Sequence, residues 1–246
     1  MRVKEHHSSM FIQILQVNLM KIYGLQKLSL LDYPDKMAAI IFTGGCNFLC
    51  PFCHNRDLVM GINNLKEISQ KELFSFLEKR KNVLEGVCIT GGEPLIHSDT
   101  SIIRKIKELG YLVKLDTNGS YPERLKNLVE EKLLDYVAMD IKNSLNKYAV
   151  TSGVKEINLN KIKESVSFLL KNKVAYEFRT TVVKELHEKE DFVFISQWLM
   201  GAEKYFLQNY KNSENIIKKG YSSHKIEQLE IYKNILEKNI KFVKIR

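Results

Sequence analysis

From Ala38 onward, short apolar runs alternate with stretches of helical apolar spacing, and that rhythm leaves few folds open. Compact runs at 38–42, 86–90, 111–116, 136–140, 175–182 and 204–208 have the length and composition of buried strands. Between and after them, 69–81, 100–109, 122–132, 160–171, 189–200 and 222–238 carry helical periodicity, as with Leu73, Phe76 and Leu77 in the first. Strand–helix alternation implies a parallel sheet with helices outside it. Six such units rather than eight predict an α/β fold of the partial (β/α)6, TIM-like barrel type, with 242–245 as a possible closing edge strand. Before the first unit, Ile22 to Pro34 reads as an extended segment ending in a turn at Pro34-Asp35.

In such folds the chemistry sits at the C-terminal ends of the strands. Directly after the first strand, Thr43-Gly-Gly-Cys-Asn-Phe-Leu-Cys-Pro-Phe-Cys-His-Asn55 gathers Cys46, Cys50 and Cys53, three of the four cysteines. A closed zinc site would need His54 to bend back on the same backbone. Cys50-Pro-Phe-Cys53-His54 matches a haem c attachment pattern, and Cys50-Pro-Phe-Cys53 a thioredoxin-type pair, but both leave Cys46 idle. Three thiolates on an iron–sulfur cubane would leave one iron with an open position. After the second strand, Thr90-Gly-Gly-Glu-Pro94 lets backbone approach a ligand closely, and Cys88 before it reads as a small core residue. Asp116, Asp140 and Lys142 close the third and fourth strands, where a structural salt bridge is the plain reading. Arg179 in the fifth strand needs a partner, with Glu177 the local candidate. Gln208 and Tyr210 end the sixth. His54 suits an outer-shell or loop-capping role; His97, His187 and His224 read as surface residues.

The chain of 246 residues is 44% hydrophobic and 27% charged, enough for one domain with a full core. Its net charge of +9 comes from lysines spread beside glutamates, so neither nucleic acid nor membrane is an expected partner. Cysteines crowded in one loop, with one left over, fit a reducing cytoplasm rather than a disulfide framework. Residues 1–19 are too short and too interrupted by polar residues to span a bilayer and are expected to be a poorly ordered extension, leaving 20–246 as the catalytic domain.

The Cys-x3-Cys-x2-Cys spacing of 46, 50 and 53, with Phe52 before the last cysteine, resembles the radical S-adenosylmethionine (SAM) superfamily. That resemblance implies a [4Fe-4S] cluster held by Cys46, Cys50 and Cys53, and SAM at Phe52 and at Gly91, Gly92 and Glu93 of the GGE motif. Asp116-Thr117-Asn118-Gly119 and Asp140-Ile-Lys142 look like the DTNG and DxK segments of glycyl-radical-enzyme activases. The likeness implies SAM contacts by Asp116, Thr117, Asp140, Lys142 and Arg179, and a further expectation is a monovalent cation at the carboxylate pair. Ser29-Leu-Leu-Asp-Tyr-Pro34, with Cys-Asn-Phe and Cys-His-Asn, resembles the family that activates anaerobic ribonucleoside-triphosphate reductase. It implies a glycyl radical enzyme as partner and a flavodoxin- or ferredoxin-type electron donor. Asp35, where that family has glycine, and the last strand depart from its pattern. Open beside it stand a pyruvate formate-lyase-type activase, a small-molecule radical SAM enzyme such as a deazapurine-forming synthase, and a thiol-disulfide or haem-binding protein.

Overall fold

The computed structural model describes residues 19–246. The expectation for residues 1–19 therefore lies outside the described residues, apart from Leu19. The chain runs β1 (Ile22–Ser29), β2 (Ala38–Thr43), α1 (Arg56–Met60), α2 (Gln70–Arg80), β3 (Gly86–Gly91), α3 (Ser101–Glu108), β4 (Leu112–Thr117) and α4 (Pro122–Glu130). It continues through β5 (Tyr136–Asp140), α5 (Tyr148–Ser152), α6 (Leu159–Leu169), β6 (Ala175–Val182), α7 (Lys189–Trp198), β7 (Lys204–Asn209), α8 (Ile226–Leu236) and β8 (Phe242–Ile245). The eight strands form one sheet in chain order. β2 to β8 are parallel, and β1 adds to β2 as an antiparallel edge. β1 and β8 stay unpaired with each other, so the curved sheet is an open, partial barrel, as the alternation predicts.

Local chemistry explains the elements. β2, Ala-Ala-Ile-Ile-Phe-Thr, is buried on both faces, which is why it lacks polar alternation. On α3, Ile102, Ile103 and Ile106 form the buried stripe, and burying one such isoleucine is worth about 1.5–3 kcal/mol. Pro122 at the first turn starts α4, and reciprocal hydrogen bonds between Glu188 and Asp191 start α7. At Gly86 a Cβ would come within 2.9 Å of the Tyr33 ring, so only glycine lets the buried Tyr33 of the β1–β2 turn tuck under β3.

Parallel register sets Asp116 level with Ala138 and Asp140 level with Arg179. In the N-terminal half of the barrel, Glu177 accepts from Tyr136 (3.0 Å) and from both Nη atoms of Arg246 (3.0 and 3.2 Å). The Arg246 guanidinium lies 3.3 Å from the centre of the Phe206 ring. That end is closed by its own side chains. Among the described residues no helix is long and apolar enough to cross a membrane.

Candidate functional site

At the other end the strands open into a cavity of about 400 Å³. Its wall carries Cys46, Cys50 and Cys53 together with Phe52, Gly91, Gly92, Asp116, Thr117, Asp140, Lys142 and Arg179. Asn55, Asn118, Thr181, Gln208 and Asp32 complete much of the lining. Eleven of the twelve residues singled out from sequence therefore meet in one place.

Glycines let the cysteine loop and the β3 turn lie against each other. A Cβ on Gly92 would stand 1.9 Å from the carbonyl oxygen of Gly45, and one on Gly91, at φ 118°, would stand 2.3 Å from that of Thr43. Gly92 N–H donates to Thr43 O (2.9 Å), Glu93 N–H to Gly45 O (2.8 Å), and the Asn55 amide to Gly91 O (2.7 Å). From the far side, the segment after β7 clasps the loop. Lys218 N–H donates to Pro51 O (2.8 Å), and His54 pairs through Nε2 with Lys211 O (2.6 Å) while stacking on Tyr210. His54 and Tyr210 thus fasten the loop; Tyr210 is buried and Gln208 is the cavity residue of the two.

Of the twelve, Glu93 alone is absent from the cavity wall. Its side chain is fully buried beneath the wall, where Oε1 accepts from Leu95 N–H (3.0 Å) and Thr117 Oγ1 (2.8 Å) and Oε2 from Asn118 N–H (2.6 Å). Its carboxylate braces the β3 and β4 turns, which leaves the backbone of the Gly-Gly-Glu turn as its means of reaching a ligand. Burial outweighs those three donors and lifts its pKa to about 7.

Beside the thiols runs a chain of opposite charges. Arg179 Nε donates to Asp140 Oδ1 (2.7 Å) and its Nη1 to Asp116 Oδ2 (3.1 Å). Lys142 Nζ donates to Asp140 Oδ2 (2.9 Å), and Lys114 pairs with Asp116 from within the barrel. Burial works against ionising Asp140, but Arg179 and Lys142 outweigh it and hold its carboxyl far below the usual range. The same contest, with Arg179 and Lys114 on the winning side, lowers Asp116. Three cations against two carboxylates leave the cluster one positive charge in excess, suited to a ligand carboxylate. Arg179 stands between the carboxylates where a monovalent cation was expected, and the expectation of such a cation finds no support here.

Arg179 does not pair with Glu177, its local candidate, because Glu177 is held by Tyr136 and Arg246. Sequence reasoning passed over Lys114, only 1% exposed; its alternation with Asp116 on β4 was the available signal. Cys88 is buried as expected, but among polar groups: its sulfur lies 3.7 Å from both Asp116 Oδ1 and Lys114 Nζ. His97 and His187 are buried rather than superficial, His97 against Gly44 O (2.9 Å) and His187 against Lys142 O (2.8 Å). Both connect loops of the mouth. His224 packs edge-on to Tyr232.

All four cysteines are free thiols. Burial pushes Cys46 up to about 12 and Cys50 up to about 11, and also raises Cys53, while Lys142 works in the opposite direction on each. A metal centre there would have to displace these protons. Among the described residues no three His, Cys, Asp or Glu side chains gather round a single ion position. A cubane is gripped by one thiolate per iron, so its ligands need to line a cavity together rather than converge on a point. Cys46, Cys50 and Cys53 meet that condition, and the donor set, all sulfur, suits iron–sulfur chemistry.

Residues 40–194 match the family model described as the radical SAM superfamily. The chain is 35% identical over 195 residues, 77% of its length and 80% of the relative's, to a protein of Methanocaldococcus jannaschii provisionally named a glycyl-radical enzyme activating enzyme. It is 29% identical over 160 residues, 63% of its length and 71% of the relative's, to the 7-carboxy-7-deazaguanine synthase of Thermoplasma acidophilum. Among solved structures, Streptococcus suis SuiB bound to S-adenosylmethionine superposes with a TM-score of 0.63 at 15% identity, covering 82% of this chain and 48% of that one. That likeness shows the fold.

Proposed function

The chain belongs to the radical SAM superfamily, and from that premise we propose that it is a glycyl-radical-enzyme activase whose partner is an anaerobic ribonucleoside-triphosphate reductase. Membership implies a [4Fe-4S] cluster and SAM. In this reading residues 20–246 are the catalytic domain, acting in a reducing cytoplasm with a flavodoxin- or ferredoxin-type donor. The cluster is assigned to Cys46, Cys50 and Cys53. When bound, cluster and SAM together supply a 5′-deoxyadenosyl radical able to take hydrogen from a backbone glycine.

The observation that carries the reading is the cavity itself, where the three thiols share one wall with eight of the nine expected SAM contacts. Arg179 and Lys142 offer charge-assisted hydrogen bonds to the SAM carboxylate, each already aimed by a carboxylate of the protein. Asp116 and Thr117 line the cavity and are assigned to the ribose, with the Asp116 carboxylate as acceptor for its hydroxyl groups, and Gly91 and Gly92 are assigned to the methionyl end. Phe52, buried within the cysteine loop and on the cavity wall, offers SAM an apolar contact.

The test is co-expression with a candidate reductase under anaerobic conditions. A stable glycine radical by electron paramagnetic resonance is expected on the partner, and only with the intact chain. A radical on pyruvate formate-lyase instead would transfer the assignment to that class of activase. A second reading is favoured by the likeness to 7-carboxy-7-deazaguanine synthase: a small-molecule enzyme would form that product with no partner protein and leave the reductase silent.

A further inference from the structure

Asn47, Asn118 and Ser120 come from two loops 71 to 73 residues apart in sequence and close a ring of hydrogen bonds beside Cys46. Asn118 Nδ2 donates to Asn47 Oδ1 (2.9 Å), and Asn47 Nδ2 donates to Ser120 Oγ (3.0 Å). Ser120 Oγ in turn donates to Asn118 Oδ1 (2.6 Å), which also accepts from Ser120 N–H (3.0 Å). The ring decides which way the Asn118 amide faces. Turned over, its oxygen would meet Asn47 Oδ1 and its NH2 would meet the Ser120 N–H, two contacts that would set like against like.

With one Asn118 N–H taken by Asn47, the second is free to point at Cys46, whose Sγ lies 4.0 Å from Nδ2. The Phe48 backbone N–H approaches the same sulfur at 3.4 Å. Asn118 and Ser120 are buried, while Asn47 sits at the exposed rim. The amide is therefore locked mainly from inside the protein.

Resting on the functional reading above, we propose that Asn118 is a positioning residue for the cluster, held by Asn47 and Ser120 so that its N–H addresses the Cys46 thiolate and raises the cluster's reduction potential. Hydrogen bonds to cluster sulfurs are one of the terms that set such potentials, because added electron density on sulfur strengthens them in the reduced state. The ring also ties the first cysteine to the β4 turn that carries Asp116 and Thr117, so cluster and cofactor contacts share one support.

The experiment is anaerobic reconstitution of wild type, Asn118→Leu, Asn118→Asp and Ser120→Ala, with iron content, the reduced-state electron paramagnetic resonance spectrum and the midpoint potential measured without SAM. Asn118→Asp keeps the shape but exchanges the NH2 for a negative oxygen, so it separates a hydrogen-bonding role from space filling. The potential should fall in all three variants with iron retained, furthest in Asn118→Asp and least in Ser120→Ala, and the spectrum should shift with it. A full iron content with unmoved potentials would overturn this inference alone. Loss of iron from all three variants would make the ring a folding element and overturn it too. A wild-type chain that builds no cubane would overturn the functional reading and this inference with it.

Discussion

Glu177 and Arg179 stand two residues apart on one face of β6 and belong to different chemistries. Glu177 is held by Tyr136 and Arg246, whose guanidinium lies in turn on the Phe206 ring. Arg179 is also tied into opposite charge, bridging Asp116 and Asp140, but its cluster faces the cavity that the three cysteines also line. Buried charge in a barrel is therefore no mark of a site by itself. What distinguishes the upper cluster is its excess cation, its place at the C-terminal strand ends and its thiol neighbours.

The sharpest way to break the contrast is at the thiols. Cys50→Ala should abolish both the iron–sulfur chromophore and SAM cleavage, checked by iron analysis and chromatography of the products, with the lower cluster untouched. Glu177→Leu should do the reverse. Removing one partner of a buried pair costs about 3–5 kcal/mol, and the partial exposure of Arg246 places this one near about 3 kcal/mol, measured by chemical denaturation. SAM affinity of the folded fraction should stay unchanged.

Glu93 tests the mouth through pH. Its folded pKa near 7 lies above the ordinary glutamate value of 4.5, so the native state keeps a proton that the unfolded chain releases. This contribution to stability is complete below pH 4.5 and is lost as pH rises through 7, by up to about 3 kcal/mol. Glu93→Gln abolishes this titration, so the difference between the wild-type and variant stability curves should carry that slope over this range. A smaller effect is expected from Arg179→Lys, which keeps the charge but not the fork spanning Asp116 and Asp140. SAM affinity should drop on the order of tenfold, about 1.4 kcal/mol, read by calorimetry with the reconstituted protein.

Much of this was legible in the chain. Parallel strands buried on both faces are apolar runs, and β2 to β7 stand out for that reason; β1 does not, because its middle is exposed and its pairing with β2 is antiparallel. The cysteine loop and the strand-end Asp116, Asp140 and Lys142 were visible because their place at the cavity follows from local spacing and strand ends. Contacts between distant segments were not. Nothing in Glu93 itself says that Thr117 and Asn118 would occupy its carboxylate, and nothing in Asn47 points to Ser120. His97 and His187 look polar in sequence and are buried because backbone carbonyls from other loops receive them.

The most direct measurement is anaerobic reconstitution of the full chain with iron and sulfide, followed by dithionite and SAM. A cubane's complement of iron, with methionine and 5′-deoxyadenosine formed together, is the expected result. Zinc or covalent porphyrin at the cysteine loop, or SAM left intact beside a reduced cluster, would contradict it.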